Sequence, residues 1–249
     1  MNFPDFSLAS FRKHPVVVGV VSSLEVLEAL VASGSAPCDL VELRLDLIDR
    51  DDEILIPLAA GVKQPLLITL RDRLEGGSWR GVEQARLARY QRWATKARWF
   101  DIELRADHEA WLEYRAFADA ANVHLIGSCH DFEQCPTLDE IRGLIARSRA
   151  VKADVFKLAA LTTTDAGVEI LERGLRLNHG DLPLCMIGMG ARGPMSRVHL
   201  PLHGSCLTYG AIGETNAPGQ PQAEDLVRAL VDLHAGYAAW RSHRVGVSP

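Results

Sequence analysis

Eight short apolar runs, each separated from the next by a longer amphipathic stretch, constrain this chain more than any other feature. The runs are VVVGVVS (16–22), DLVELRLD (39–46), PLLITLR (65–71), WFDIEL (99–104), NVHLIGS (122–128), DVFKLAAL (154–161), PLCMIGM (183–189) and GSCLTYGA (204–211). Between them lie segments of helical periodicity, among them LEVLEALVAS, TLDEIRGLIARSRA and TDAGVEILERGLRL. Thr137 with Glu140 three residues on has the spacing of a capping box and predicts a helix start there. Several runs are apolar on both faces, as strands are when helices cover the outside and a core fills the inside. Strands alternating with helices predict a parallel sheet joined by right-handed crossovers, and eight strands close a barrel. The fold class expected is therefore α/β, a (β/α)8 TIM barrel. A doubly wound open sheet is the runner-up, but it usually carries a glycine fingerprint after its first strand, and VVVGVVSSLEVLE has a single glycine. The 249 residues suit one barrel domain, 1–249, with a short N-terminal extension, 1–14.

Composition narrows the classes of function. A net charge of -5 makes the chain a poor binder of phosphate backbones, so nucleic acid is not an expected partner. No apolar run approaches the ~20 residues needed to cross a bilayer, and the N-terminus lacks the apolar core of a secretory signal. No membrane partner is expected, and the location expected is cytoplasmic. The five cysteines are dispersed and never spaced as C-x-x-C, which reads as reduced, packed thiols.

Positive charge here is nearly always arginine: of 27 basic residues only Lys13, Lys63, Lys96, Lys152 and Lys157 are lysines. Lys13, Lys63 and Lys152 precede strands, the end of a barrel that carries no chemistry, and Lys96 falls on a polar helix. Lys157 lies inside DVFKLAAL, where an ammonium is expensive unless paired or deprotonated. Two readings stand open: a nucleophile that forms a Schiff base with a carbonyl, or an ammonium paired with Glu42 or Asp101. The second strand puts Glu42, Arg44 and Asp46 on one face, either at the barrel mouth or in an internal ion-pair cluster. Arg71 ends the third strand and is followed by DRLEGG, whose Gly76 and Gly77 permit a mobile or tightly turned loop. Asp101 and Glu103 share a face of the fourth strand, and His130 is placed just past the fifth, as a catalyst or a satisfied structural histidine. His199 and His203 have helical metal-ligand spacing, but Pro201 lies between them and no carboxylate follows nearby, so no metal is expected. G-M-G-A-R-G (188–193) lacks the lysine and Ser/Thr of a phosphate loop.

Taken together, ELRLD (42–46), ITLR with EGG (68–71, 75–77), DIEL (101–104), SCHDF (128–132), DVFKLA (154–159), MGARGPMSR (189–197), GSCLTY (204–209) and APGQ (217–220) resemble the type I 3-dehydroquinate dehydratase family. The segments occur in that family's order and cover nearly the whole chain. The resemblance implies a hydro-lyase of the shikimate pathway that turns 3-dehydroquinate into 3-dehydroshikimate through a lysine Schiff base. It implies no metal, no organic cofactor, a small-molecule substrate and a homodimer. Carried over position by position, Lys157 is similar to the imine-forming lysine, His130 to the general acid/base, and Glu75 to the glutamate that helps position the histidine. Glu42, Arg44 and Arg71 resemble substrate-hydroxyl and carboxylate contacts, Arg197 the arginine that grips the carboxylate, and Gln220 the glutamine of the APGQ loop. Asn216 stands where the family usually has serine and is the corresponding substrate-binding candidate. Two rivals remain: another Schiff-base barrel of the class I aldolase type, and a paralogue that acts on, or only senses, a related cyclic hydroxy-ketone acid.

Overall fold

The computed structural model describes residues 8–177, 182–215 and 219–245. Its strands are β1 (Val16–Val21), β2 (Leu40–Arg44), β3 (Leu66–Thr69), β4 (Trp99–Glu103), β5 (His124–Asp131), β6 (Val155–Leu161), β7 (Leu184–Met189) and β8 (Leu207–Ala211). The helices between and after them are α1 (Leu24–Ser33), α2 (Asp52–Ala59), α3 (Glu83–Trp93), α4 (His108–Ala121), α5 (Leu138–Ala150), α6 (Asp165–Leu175), α7 (Gly193–Leu202), α8 (Ala223–Leu233) and α9 (Ala235–Val245). All eight strands run parallel in the order β7-β6-β5-β4-β3-β2-β1-β8, so sequence neighbours pair from β1 through to β7 and β8 pairs with β1. The β7–β8 seam is drawn together at its base by Cys206 N donating to Leu184 O at 2.8 Å and Met186 N donating to Ser205 Oγ at 3.0 Å. The expected (β/α)8 barrel is the fold.

Strand alternation sorts the core into two bodies. Val17, Val41, Ile68, Phe100, Leu158 and Met186 point outward and pack under the helices. Val16, Val18, Leu40, Leu67, Trp99, Ile126, Val155 and Leu207 point inward and fill the barrel. A short 3-10 turn over Ser10–Arg12 closes the N-terminal end, where Phe11 stacks on Trp99 with ring centroids 4.9 Å apart. Towards the C-terminal end the inward positions turn polar: Glu42, Thr69, Asp101, Glu103, Ser128 and Lys157 are all buried there. Burying ionisable groups in place of Val or Leu opposes folding unless every one is paired, so this layer makes the C-terminal end the candidate site.

Local signals set the helix starts. Thr137 accepts from Glu140 N while Glu140 caps Thr137 N in return, the capping box that the spacing predicts at α5. The EGG segment takes the tight form rather than the mobile one. Residues Arg73–Glu75 make a 3-10 turn that ends at Gly76 with φ 78°, and a Cβ on Gly77 would lie 1.9 Å from the Arg71 carbonyl oxygen. The five cysteines form no disulfide. No helix of the described residues is long and apolar enough to cross a membrane.

Candidate active site

One cavity at the C-terminal end of the barrel is lined by Glu42, Arg44, Arg71, Glu75, His130, Lys157, Arg197 and Gln220, together with Gly76, Phe132 and Tyr209. Every sequence-derived site residue that lies within the described residues is thus in one place. Asn216 lies outside them. Two positions differ in detail from expectation. His130 lies within β5, because the long strand β6 continues the ladder as far as Asp131 opposite Ala160. Arg71 lies two residues beyond the end of β3, in the turn that leads to Glu75.

Register explains how the centre assembles. On β5 and β6, Ser128 stands opposite Lys157, and on β4 and β5, Glu103 stands opposite Ser128. Asp101 shares the inward face of β4 with Glu103, so its two oxygens reach different neighbours. Oδ1 accepts from Ser128 Oγ at 2.5 Å and pairs with Arg71 Nη2 at 2.7 Å, whereas Oδ2 pairs with Lys157 Nζ at 2.9 Å. Arg71 Nη1 also donates to Glu103 Oε1 at 2.6 Å and to Ser128 Oγ at 2.7 Å. The second Glu103 oxygen is held by Arg86, which reaches in from α3 and is itself 1% exposed. Lys157 Nζ sits over the Tyr209 ring, 4.4 Å from its centroid. Of the two partners expected for Lys157 the structure shows Asp101, with Glu42 occupied elsewhere, accepting from Thr69 Oγ1 at 2.6 Å; this is the geometry of the ammonium-pair reading. It does not exclude the nucleophile reading, since a nucleophile must be held somewhere before it reacts.

Charge settles the roles of the carboxylates. Burial by itself would raise the Asp101 carboxyl, but Arg71 and Lys157 outweigh it and hold the group well below the usual carboxylate range. Glu103 is lowered in the same way, with Arg71 and Arg86 overcoming its burial. Both stay ionised and are poor bases. Glu75 goes the other way: burial raises it to about 7, with Arg71 opposing and Glu103 and Asp101 adding. Its Oε2 accepts from His130 N at 3.0 Å and lies 2.8 Å from His130 Nδ1. Burial, Arg71 and Lys157 push the His130 imidazole well below its ordinary value. The neutral His130 imidazole keeps one N–H throughout, and the pair has a single further proton that titrates near pH 7. When it leaves, the carboxylate accepts from Nδ1–H and His130 Nε2 becomes a lone pair facing the cavity; when it is present, Nε2 can donate.

Arg197 is the cation in the cavity with no carboxylate among its described partners. Its Nε donates to the Tyr209 carbonyl at 3.1 Å and its Nη1 to the Gly188 carbonyl at 2.9 Å. Burial pushes it down to about 10, as expected of a desolvated cation without a counter-ion. Arg44 differs, because Asp46 neutralises it through a two-pronged contact, Nε to Oδ1 at 2.9 Å and Nη2 to Oδ2 at 2.8 Å. An anion entering the cavity would find its electrostatic complement at Arg197.

Sequence reasoning put Asp101 and Glu103 on one face and offered Asp101 as one of two partners for Lys157, but gave Glu103 no role and missed Ser128, Thr69, Tyr209 and Arg86. Period-two alternation back from His130 would have found Ser128. Nothing marks Arg86, which is one of three arginines at helical spacings in QARLARYQR.

Comparison with known proteins agrees with this geometry. The family model described as Type I 3-dehydroquinase matches residues 15–236. A 3-dehydroquinate dehydratase of Methanothrix thermoacetophila is 35% identical over 218 residues, covering 87% of this chain and 92% of its own. One of Methanococcoides burtonii is 30% identical over 225 residues, covering 88% and 94%. Among solved structures, the type I 3-dehydroquinate dehydratase of Clostridium difficile with covalently modified comenic acid superposes with a TM-score of 0.80 at 25% identity, covering 89% of this chain and 93% of that one.

Proposed function

The chain belongs to the type I 3-dehydroquinase family, and from that premise we propose that it eliminates water from 3-dehydroquinate to give 3-dehydroshikimate through a Schiff base on Lys157. The observation that carries the reading is the Lys157–Asp101 pair beside a cavity whose walls hold both a titrating His130–Glu75 pair and an arginine, Arg197, with no carboxylate among its described partners.

The substrate ring bears a ketone, a carboxylate and a hydroxyl β to the ketone. Arg197 takes the carboxylate in its planar fork, and Glu42, Arg44, Arg71, Gln220 and Asn216 contact the hydroxyls and carboxylate around the ring. His130 Nε2 takes a proton from the Lys157 ammonium, the freed amine adds to the ketone carbon, and His130 returns the proton to the carbinolamine hydroxyl, which leaves as water to give an iminium. Asp101, locked as a carboxylate, compensates that cation without competing for protons. His130 Nε2 removes a proton from the carbon next to the iminium, and the electron pair moves into an enamine. His130, now carrying that proton, delivers it to the β-hydroxyl, which departs as water while the enamine nitrogen re-forms the iminium and the carbon–carbon double bond shifts onto the carbon that bore the hydroxyl. A second water hydrolyses the conjugated iminium and frees Lys157. Loss of the shared proton near pH 7 sets His130 for the first of these transfers.

The carboxylate-seeking Arg197 and the ring of hydroxyl-binding groups favour this reaction over an aldolase acting on a sugar phosphate. Incubating the protein with 3-dehydroquinate tests the reading: conjugated enone absorbance should grow with time, and its absence at high protein concentration would refute it. The proposal extends to a cytoplasmic enzyme acting as a homodimer, with residues 1–249 as one barrel unit and 1–14 as an extension.

A further inference from the structure

Two objections to a metal at His199 and His203 arise from the sequence alone, and the folded chain removes both. The first is Pro201, which cannot donate to the carbonyl four residues back. That carbonyl, Arg197 O, accepts instead from Thr208 Oγ1 at 2.7 Å, so α7 runs on through Pro201 and keeps the two histidines one turn apart. The second is the missing carboxylate. It comes from the neighbouring helix α6, where Glu172 Oε2 lies 2.8 Å from His199 Nε2.

The three side chains already have the posture of a ligand set. One ligand atom from each of Glu172, His199 and His203 lies within 4.8 Å of the other two, and the two imidazole rings face each other with centroids 4.2 Å apart. His203 Nδ1 lies 2.8 Å from the His199 carbonyl oxygen and donates to it, which fixes the tautomer and leaves Nε2 as a lone pair. Arg176 holds the other Glu172 oxygen, Oε1, so Oε2 is the one turned to the histidines. Around a four-coordinate ion with bonds near 2.0–2.2 Å, ligand atoms stand about 3.4 Å apart. Binding requires the ion to replace the proton that joins His199 Nε2 to Glu172 Oε2, and the ligand atoms to close in from the 4.8 Å within which they already lie. His203 is exposed, so the fourth position stays open to water.

We propose that Glu172, His199 and His203 form a binding site for zinc or a similar borderline divalent ion, bridging α6 and α7 on the outer layer of the barrel. None of the three lines the catalytic cavity. The ion links α6 to the helix that carries Arg197 and so clamps α7 from the side away from the substrate. Its effect is on the stability of the assembled barrel, not on the chemistry.

The test uses the full chain stripped with chelator, with zinc added at concentrations up to 100 µM, roughly a hundredfold above a micromolar dissociation constant. Thermal unfolding of the unaltered protein should shift upward by about 5 °C. Cobalt(II) should bind one ion per chain with visible d–d absorption of a tetrahedral site. Glu172→Gln and His203→Gln should each lose the shift and the band while retaining dehydratase turnover, which reports that they fold. No shift in the unaltered protein overturns the proposal. So does an undiminished shift in either variant, since binding would then belong to a bare histidine pair or to other groups.

Discussion

Replacing Glu75 by glutamine should stabilise the protein and disable it, with both effects growing as pH rises. In the unfolded chain the Glu75 carboxyl ionises at its ordinary value of 4.5; in the folded protein burial raises it to about 7. The folded state therefore binds this proton more tightly, and the carboxylate form opposes folding progressively from pH 4.5 to pH 7 and fully above it. The difference corresponds to about 3 kcal/mol at pH 8 and under about 1 kcal/mol at pH 5. Glutamine has the shape of the protonated acid and removes the ionisation. Differential scanning of Glu75→Gln against the unaltered protein should show a melting temperature higher by roughly 6–12 °C at pH 8, converging near pH 5. Turnover should fall at least about tenfold, and the rise of the pH–rate profile through about 7 should vanish, because His130 loses the partner that sets its proton. A pH-independent stability difference, or destabilisation at pH 8, would refute the assignment of a shared proton to this pair.

Two further substitutions separate the roles of the arginines. Arg197→Ala should raise KM about a hundredfold, corresponding to loss of a charge-assisted hydrogen-bonded pair, with a smaller change in kcat; steady-state kinetics read the split. Arg86→Met should lower stability by about 3 kcal/mol, because it leaves one oxygen of fully buried Glu103 without its cation. Urea midpoints check this, and retained binding of an unreactive substrate analogue would show that Arg86 supports the site from behind without touching substrate.

The barrel was legible because its signal is repeated eight times. One misjudged run would not have changed the topology, and Val16–Val21, Leu40–Arg44 and Val155–Leu161 all fall inside the apolar segments read as strands. Lys157 was legible for a different reason: a lone lysine inside a buried strand conflicts with its surroundings, and such conflicts concentrate at functional sites. What escaped was contact between elements distant in sequence. Whether Lys157 pairs with Glu42 or with Asp101 depends on barrel register, and both carboxylates look alike in one dimension. Arg86 reaches Glu103 from α3, and its helix gives the same pattern whether an arginine faces solvent or core. Glu172 completes a ligand set with His199 across two helices, 27 residues apart in the chain. Pro201 argued against a continuous helix, and the hydroxyl that compensates it, on Thr208, belongs to the next strand.

Covalent capture at Lys157 reports on the Schiff base itself. The protein is incubated with 3-dehydroquinate and borohydride, digested, and its peptides weighed. A single reduced adduct is expected on the peptide carrying Lys157, absent from Lys157→Met even though that variant keeps its fold and still binds substrate. An adduct on another lysine, or turnover that continues in Lys157→Met, would contradict a Schiff base at Lys157.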